Sequence, residues 1–378
     1  MAVNSNKNFW LSVFSLVGTT IGAGIFSLPY AFFKSSFTIG FLEFIFLVGI
    51  VLLIQLIFGE IVLKVKGKKR FISYVEDYLG RKWKLPITIS VIFGGIGVSL
   101  IYIILAGYFL SFIISYNTFI SSLIFSSIWS LLILSKPKMF GKIEFIFSFS
   151  VILIVIIISS FNIGYVNFSN FGGFNVSNIL LPYGVILFAV SGYYVIPEME
   201  DILGAEKKKM KKAIIYGTLI PAAVYIFFVL IVLGVSGALT SQDAIAGLSS
   251  ALNSNFILLI GSILGLLAVT EASLSQGVYI KETFSYDLKV NKWLSWLLTV
   301  LAPLALFLLG ARNLVAVISM VGALFFAFHA VIILLIHKKL KSQKIESGYE
   351  IKLPNFLYYL IGSFVILGAL FEVWYTVF

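Results

Sequence analysis

The chain has 378 residues, 60 % hydrophobic and 11 % charged, with a mean hydropathy of +1.07. Soluble domains carry about 25 % charged residues, so no soluble fold class fits and the solvent is lipid. The formal net charge is +11 and there is no cysteine, which excludes disulfides, thiolate metal sites and cysteine nucleophiles.

The apolar segments are unbroken runs, not short alternating strands, so an α-helical bundle is expected in place of a barrel. At about 20 residues per span, the pattern predicts eleven spans: 9–33, 37–63, 86–114, 118–134, 143–161, 178–202, 213–236, 255–281, 293–310, 313–336 and 355–377. With the N-terminus inside, every one of the 27 basic residues except Lys34 and Arg312 falls on the inner side. The positive-inside rule then gives an N-in, C-out protein of the cell membrane, and the basic surplus needs no nucleic acid partner. The first ten residues, MAVNSNKNFW, are too short and polar for a cleaved signal, so the first span is itself the insertion signal.

A single membrane domain, 1–378, is expected, with no soluble domain and no evident protein partner. In the inner loop 64–85, Phe71, Val75, Tyr78 and Leu79 recur at helical spacing among charges, which predicts an amphipathic helix on the inner face. It serves either as a connector or as a gate. The outer segment 238–253 reads as a short re-entrant or surface helix. His329 and His337 fall in or at the end of span 10, where packed or interfacial histidines are the simple reading.

Two spans carry the same interruption. Residues 18–30 read GTTIGAGIFSLPY and residues 187–199 read LFAVSGYYVIPEM, with Gly24-x4-Pro29 in the first and Gly192-x4-Pro197 in the second. Backbone freed from a helix at mid-membrane depth survives only where it faces protein, water or a solute. Two such breaks at matching places point to the binding site of a secondary transporter. Spans 1–5 (9–161) and 6–10 (178–336) would form inverted repeats, with 355–377 added.

At these residues the chain resembles the amino acid–polyamine–organocation superfamily. The run Gly18 to Pro29 is similar to its first-span signature, and Leu28-Pro29-Tyr30-Ala31 resembles the amino acid/auxin permease branch in particular. Phe188-Ala189-Val190-Ser191-Gly192 followed by Pro197-Glu198 looks like the sixth-span signature, and Leu267 to Leu274 resembles the eighth. The resemblance implies a leucine-transporter-like five-plus-five inverted-repeat fold, all-α, and an amino acid substrate. Glu271 departs from that pattern, where small or hydroxyl residues prevail.

The chemistry expected of the breaks is main-chain chemistry. A helix start carries about half a positive charge and a fan of N–H donors, here Ala23, Gly24 and Ile25, which suits a carboxylate. The carbonyls ending the first half-helix at Thr19, Thr20 and Ile21, with Gly22 in the break, suit an ammonium. Span 6 offers carbonyls at Phe188, Ala189 and Val190 and donors beyond Ser191 and Gly192. Tyr102, Tyr108, Phe188 and Tyr193 are candidates to select the side chain, with an apolar or aromatic amino acid preferred.

Glu271 lies mid-span, where an ionised carboxylate costs several kcal/mol unless paired. It is the candidate proton-coupling group; a structural role or Na⁺ binding are the alternatives. For Na⁺ the resemblance implies Gly18 and Ile21 carbonyls with Thr270 and Ser273 hydroxyls. No cofactor is expected beyond the coupling ion, H⁺ or Na⁺. No nucleophile–base pair, metal cluster or nucleotide loop is present in the sequence, so an enzyme is not expected. An amino acid symporter or exchanger is favoured over a channel or a sensor.

Overall fold

A computed structural model describes residues 2–65, 70–134, 155, 160–172, 178–341 and 348–377. Among them the ordered elements are all helical. The first span is two helices, α1 (Ala2–Thr20) and α2 (Gly24–Ser35), bent by 56° across a short break. Then come α3 (Phe37–Lys64), the short α4 (Phe71–Leu79), α5 (Lys84–Ile114) and α6 (Thr118–Leu134). The predicted fifth span, 143–161, lies outside the described residues apart from 155, 160 and 161.

The sixth span is also divided. Helix α7 (Leu181–Val190) ends at Ser191 and Gly192, a single 3₁₀ turn covers Tyr193–Val195, and α8 (Ile196–Leu203) continues. Pro197 sits in the first turn of α8, where its missing N–H costs nothing. The remaining helices are α9 (Met210–Ser236), α10 (Ile245–Leu252), α11 (Asn255–Glu282), α12 (Lys292–Leu308), α13 (Leu314–Leu340) and α14 (Asn355–Val377). Six stretches among the described residues are long and apolar enough to cross a membrane, and the bent α1–α2 pair makes a seventh. One of the six, Leu181–Leu239, contains α7, α8 and α9.

Helices such as α3 are apolar on every face, which marks them as lipid-solvated on one side and packed on the other. Leu42, Ile45 and Phe46 are exposed on α3, while Phe44, Leu47, Val51 and Ile54 are buried. Helix α7 sits innermost, against α2, α3 and α13; α1 packs on α8 and α9, and α11 lies along α5.

At the lysine-rich end, α3, α13 and α14 are fastened together around Glu60, which is 1 % exposed. Its carboxylate accepts from the Ile351 N–H at 2.6 Å, lies 3.1 Å from His337 Nε2 and pairs with Lys64 at 2.7 Å. His337 Nδ1 meets the Tyr358 hydroxyl at 2.6 Å, and Tyr349 donates to the Leu56 carbonyl at 2.6 Å. A buried carboxylate needs this number of partners to stay in place. His337 is therefore a structural tie.

The loop helix α4 forms where its periodicity predicts, but with a different face inward. Phe71, Ile72, Tyr74 and Val75 are buried, not Tyr78 and Leu79. The Phe71 ring packs on Phe58 at 5.4 Å and on His329 at 5.1 Å. The segment after α9 holds α10, whose first turn is capped by Asp243, accepting from the Ala246 N–H at 3.0 Å.

Candidate substrate site

The two breaks touch. A Cβ added at Gly24 would sit 2.6 Å from the Ala189 Cα, and one added at Gly192 would sit 2.7 Å from the Leu16 side chain, beside Thr20. Each glycine is therefore the point where one broken span passes the other. No other residue lets the two backbones approach so closely.

Within the first break, Ile21 N–H still bonds to Val17 (2.9 Å), and the chain then tightens. Ile25 N–H donates to the Gly22 carbonyl at 3.4 Å and Phe26 N–H to Ala23 at 3.3 Å. Ile25, expected among the open donors, is thus bonded, and its side chain is fully buried. Gly22 N–H is turned to the Tyr225 hydroxyl.

Tyr225, on α9 and fully buried, reaches the crossing. Its Oη lies 2.6 Å from the Thr20 carbonyl and 3.0 Å from the Ala189 carbonyl, the last turns of α1 and α7. Gln55 of α3 serves the next carbonyl, with Nε2 3.4 Å from the Val190 oxygen, while its Oε1 accepts from Thr218 at 2.5 Å. Ser191 turns its hydroxyl back onto the Leu187 carbonyl. Several carbonyls expected to face a solute are therefore held by side chains. The reason is that a helix end buried without donors is costly.

A cavity of about 530 Å³ runs from the crossing to the lysine-rich end, between the breaks and α4, α5, α11 and α13. Gly18, Thr19, Thr20, Ile21, Gly22, Ala23 and Gly24 line it from the first break, and Phe188, Ser191 and Tyr193 from the second. Tyr102 and Glu271 face it across the bundle. Tyr194, on its wall, is 44 % exposed, so the cavity is open to solvent.

Other residues singled out in the sequence lie elsewhere. Ile25, Ala189, Val190 and Gly192 stand behind the lining as packed backbone, and Tyr108 does not reach the cavity. Thr270 and Ser273 are also absent from the lining. Thr270 donates to Leu266 at 2.6 Å and Ser273 to Thr270 at 2.8 Å. Ser273 is buried toward α6, where its carbonyl accepts from Trp129 at 2.9 Å. The helical period is the cause, since a residue two positions from Glu271 faces the far side of α11. Of the Na⁺ set expected from the resemblance, Gly18 and Ile21 line the cavity and Thr270 and Ser273 do not.

Sequence reasoning missed part of the lining. His329 borders the cavity with both ring nitrogens engaged: Nδ1 by the Tyr193 hydroxyl and Nε2 by Ser90 at 3.1 Å. Tyr193 packs at a tilt of 40° against Tyr194, with centroids 4.3 Å apart. At the mouth, Arg70 pairs with Glu282 at 2.9 Å and lies 4.0 Å from Asp287, with its guanidinium near the Tyr279 and Tyr286 rings. Glu198 lines the same mouth, while the ion pair of Arg70 goes to α11 and the turn after it. Burial, with the Glu200 and Asp201 carboxylates near it, pushes the Tyr74 phenol up, so Tyr74 stays a neutral hydrogen-bonding wall of the mouth.

At the opposite end the passage is shut. Phe26 packs edge-on against Phe109 (5.1 Å) and Phe228 (6.4 Å), and the Ser27 hydroxyl donates to the Gln242 carbonyl at 3.2 Å.

The sequence model of the tryptophan/tyrosine permease family matches residues 5–372. The chain belongs to that family. No curated protein matches it. Among solved structures, the permease is similar to a nucleobase-cation-symport-1 family transporter, in a closed conformation with bromovinylhydantoin bound. The TM-score is 0.62 at 11 % identity, over 96 % of this chain and 91 % of that one. At that identity the likeness establishes the fold, the leucine-transporter type. Family and fold together make the permease a multi-pass membrane transporter of a small molecule, not an enzyme.

Proposed function

We propose that the permease carries a neutral aromatic amino acid across the cell membrane by alternating access. The crossed breaks carry this reading: two interrupted spans meet beside an open cavity, and residues of both breaks line it. Ala23 and Gly24 N–H groups at the start of α2 would receive the carboxylate. Carbonyls of Thr19 and Ile21 and the Ser191 side chain lie where the ammonium follows. Phe188, Tyr102, Tyr193 and Tyr194 give the side chain an aromatic surround, which agrees with the family's tryptophan and tyrosine. In this reading the chain has eleven spans in a five-plus-five inverted repeat plus α14, belongs to the amino acid/auxin permease branch, and has its N-terminus inside. The state described is then inward-open.

Glu271 is the coupling group in the same reading. It lines the cavity opposite the breaks, where a carboxyl passes between wet and dry surroundings as the protein alternates. Proton coupling is favoured over Na⁺ because Glu271 lines the cavity, whereas Thr270 and Ser273 do not and spend their hydroxyls on carbonyls of their own helix. The test is uptake of labelled tryptophan and tyrosine into proteoliposomes under an imposed pH gradient, with counterflow as the mark of a carrier. Wild-type uptake should saturate and follow the proton gradient, and Glu271→Gln should keep counterflow while losing gradient-driven accumulation. Accumulation that follows Na⁺ instead, unchanged in Glu271→Gln, would remove the proton reading.

A further inference from the structure

At the end of the bundle opposite the lysine clusters there is a second cavity, of about 480 Å³, between the far ends of α2, α7, α13 and α14. It shares no lining residue with the central cavity, and the Phe26–Phe109–Phe228 cluster belongs to neither lining. Its size is that of a small-molecule site.

The wall has unmet needs of two kinds. Glu372 of α14 is 2 % exposed. One of its oxygens accepts from the Thr376 hydroxyl at 3.1 Å and the Ser319 hydroxyl is the other donor beside it, but Oε2 is buried without a hydrogen-bond partner of normal geometry. Behind the wall, near Glu372 but outside the lining, Glu43 is a second acid with an unpartnered buried oxygen. Gln242 lines the same cavity, and its Oε1 is also buried and unpartnered. Buried acceptors without donors are rare and costly, and a cluster of them favours a cation with several N–H groups. The other need is that of Lys34. Its Nζ rests near the Tyr30 and Phe33 rings, at 5.3 and 5.7 Å, and no ion pair is recorded for it among the described residues. A cation held on aromatic faces at a cavity rim is placed for an anion.

An ammonium and a carboxylate on one small molecule meet both needs. We infer that this cavity is a second amino acid site, with the substrate's ammonium at Glu372 and Gln242, its carboxylate at Lys34, and its side chain beside Tyr30 and Tyr375. The inference rests on the amino acid reading above for its substrate class. Gln242 also holds α2 through Ser27, so a solute seated here touches the half-helix that opens the central site.

Equilibrium binding of labelled tryptophan and of tryptamine, which lacks the carboxylate, to full-length protein in nanodiscs tests this. Gly22→Val blocks the central site, where an added Cβ meets only Tyr102 Oη at 3.7 Å. The expected result is that Gly22→Val retains one saturable tryptophan site. In that background Lys34→Gln weakens tryptophan about tenfold and leaves tryptamine alone, while Glu372→Gln weakens both. Lys34→Gln is at the rim and keeps the assay meaningful if Glu372→Gln fails to fold. Loss of all binding in Gly22→Val alone, indifference of the residual site to Lys34→Gln, or no binding of either probe overturns the inference. Binding that Gly22→Val leaves untouched but Lys34→Gln abolishes overturns the central site and keeps this one.

Discussion

Tyr225 has one hydroxyl proton and stands where two helix ends converge, with the Thr20 and Ala189 carbonyls 2.6 and 3.0 Å away. Both ends carry partial negative charge, so a neutral donor between them does the work that a bound cation would otherwise do. Tyr225→Phe keeps the ring and removes the donor, leaving two buried carbonyls facing each other. The expected cost is about 1–3 kcal/mol of stability. Uptake should fall about tenfold in maximal rate with KM little altered, because the carbonyls meet each other and not the solute. Wild-type rate and melting temperature in Tyr225→Phe would show that the hydroxyl is incidental. Nothing in the sequence singles out Tyr225 among its 18 tyrosines, since its role depends on which turn of α9 passes the crossing.

The broken spans depend on close backbone approach. Gly24→Ala puts a methyl within 2.6 Å of the Ala189 backbone, and α2 must separate from α7 to take it. Uptake should be abolished and the melting temperature lowered, whereas Gly49→Ala, which meets nothing within 4 Å, should change neither. A Gly24→Ala protein with normal uptake would mean that the two half-helices slide freely. These breaks were legible in the chain because glycine and proline mark them in any context. Apolar runs gave most spans equally well, down to Thr118–Leu134. What sequence could not supply was rotation. Thr270 and Ser273 sit near Glu271 in the chain yet stay out of the cavity lining, Ser273 with its carbonyl on Trp129 of α6. Four of the nine α4 residues are buried, and two of them, Ile72 and Tyr74, lie off the predicted stripe. His329 looked like packing and lines the cavity. The azimuth of a helix that is apolar all round is set by its neighbours, and periodicity carries little of that information.

Across the whole bundle, access among the described residues is one-sided: the cavity reaches the lysine-rich end, and aromatic rings shut the other. The absence of cysteine makes this measurable on a clean background. Tyr194→Cys should react with a membrane-impermeant thiol reagent offered from the lysine-rich side and not from the other, with substrate slowing the reaction. Equal labelling from both sides would mean a continuous pore.

The ties at Glu60 divide the bundle unevenly. His337, Tyr358, Ile351 and Tyr349 tie α3, α13, α14 and the segment before α14 into one block, while α4 meets that block through aromatic faces at Phe58 and His329 and a hydrogen bond from Lys339 to the Tyr78 carbonyl. Such a block is expected to stay still while its neighbours move. Spin labels placed on α3 and α14 should report a constant separation throughout turnover, and a label moved to α4 should report the stroke.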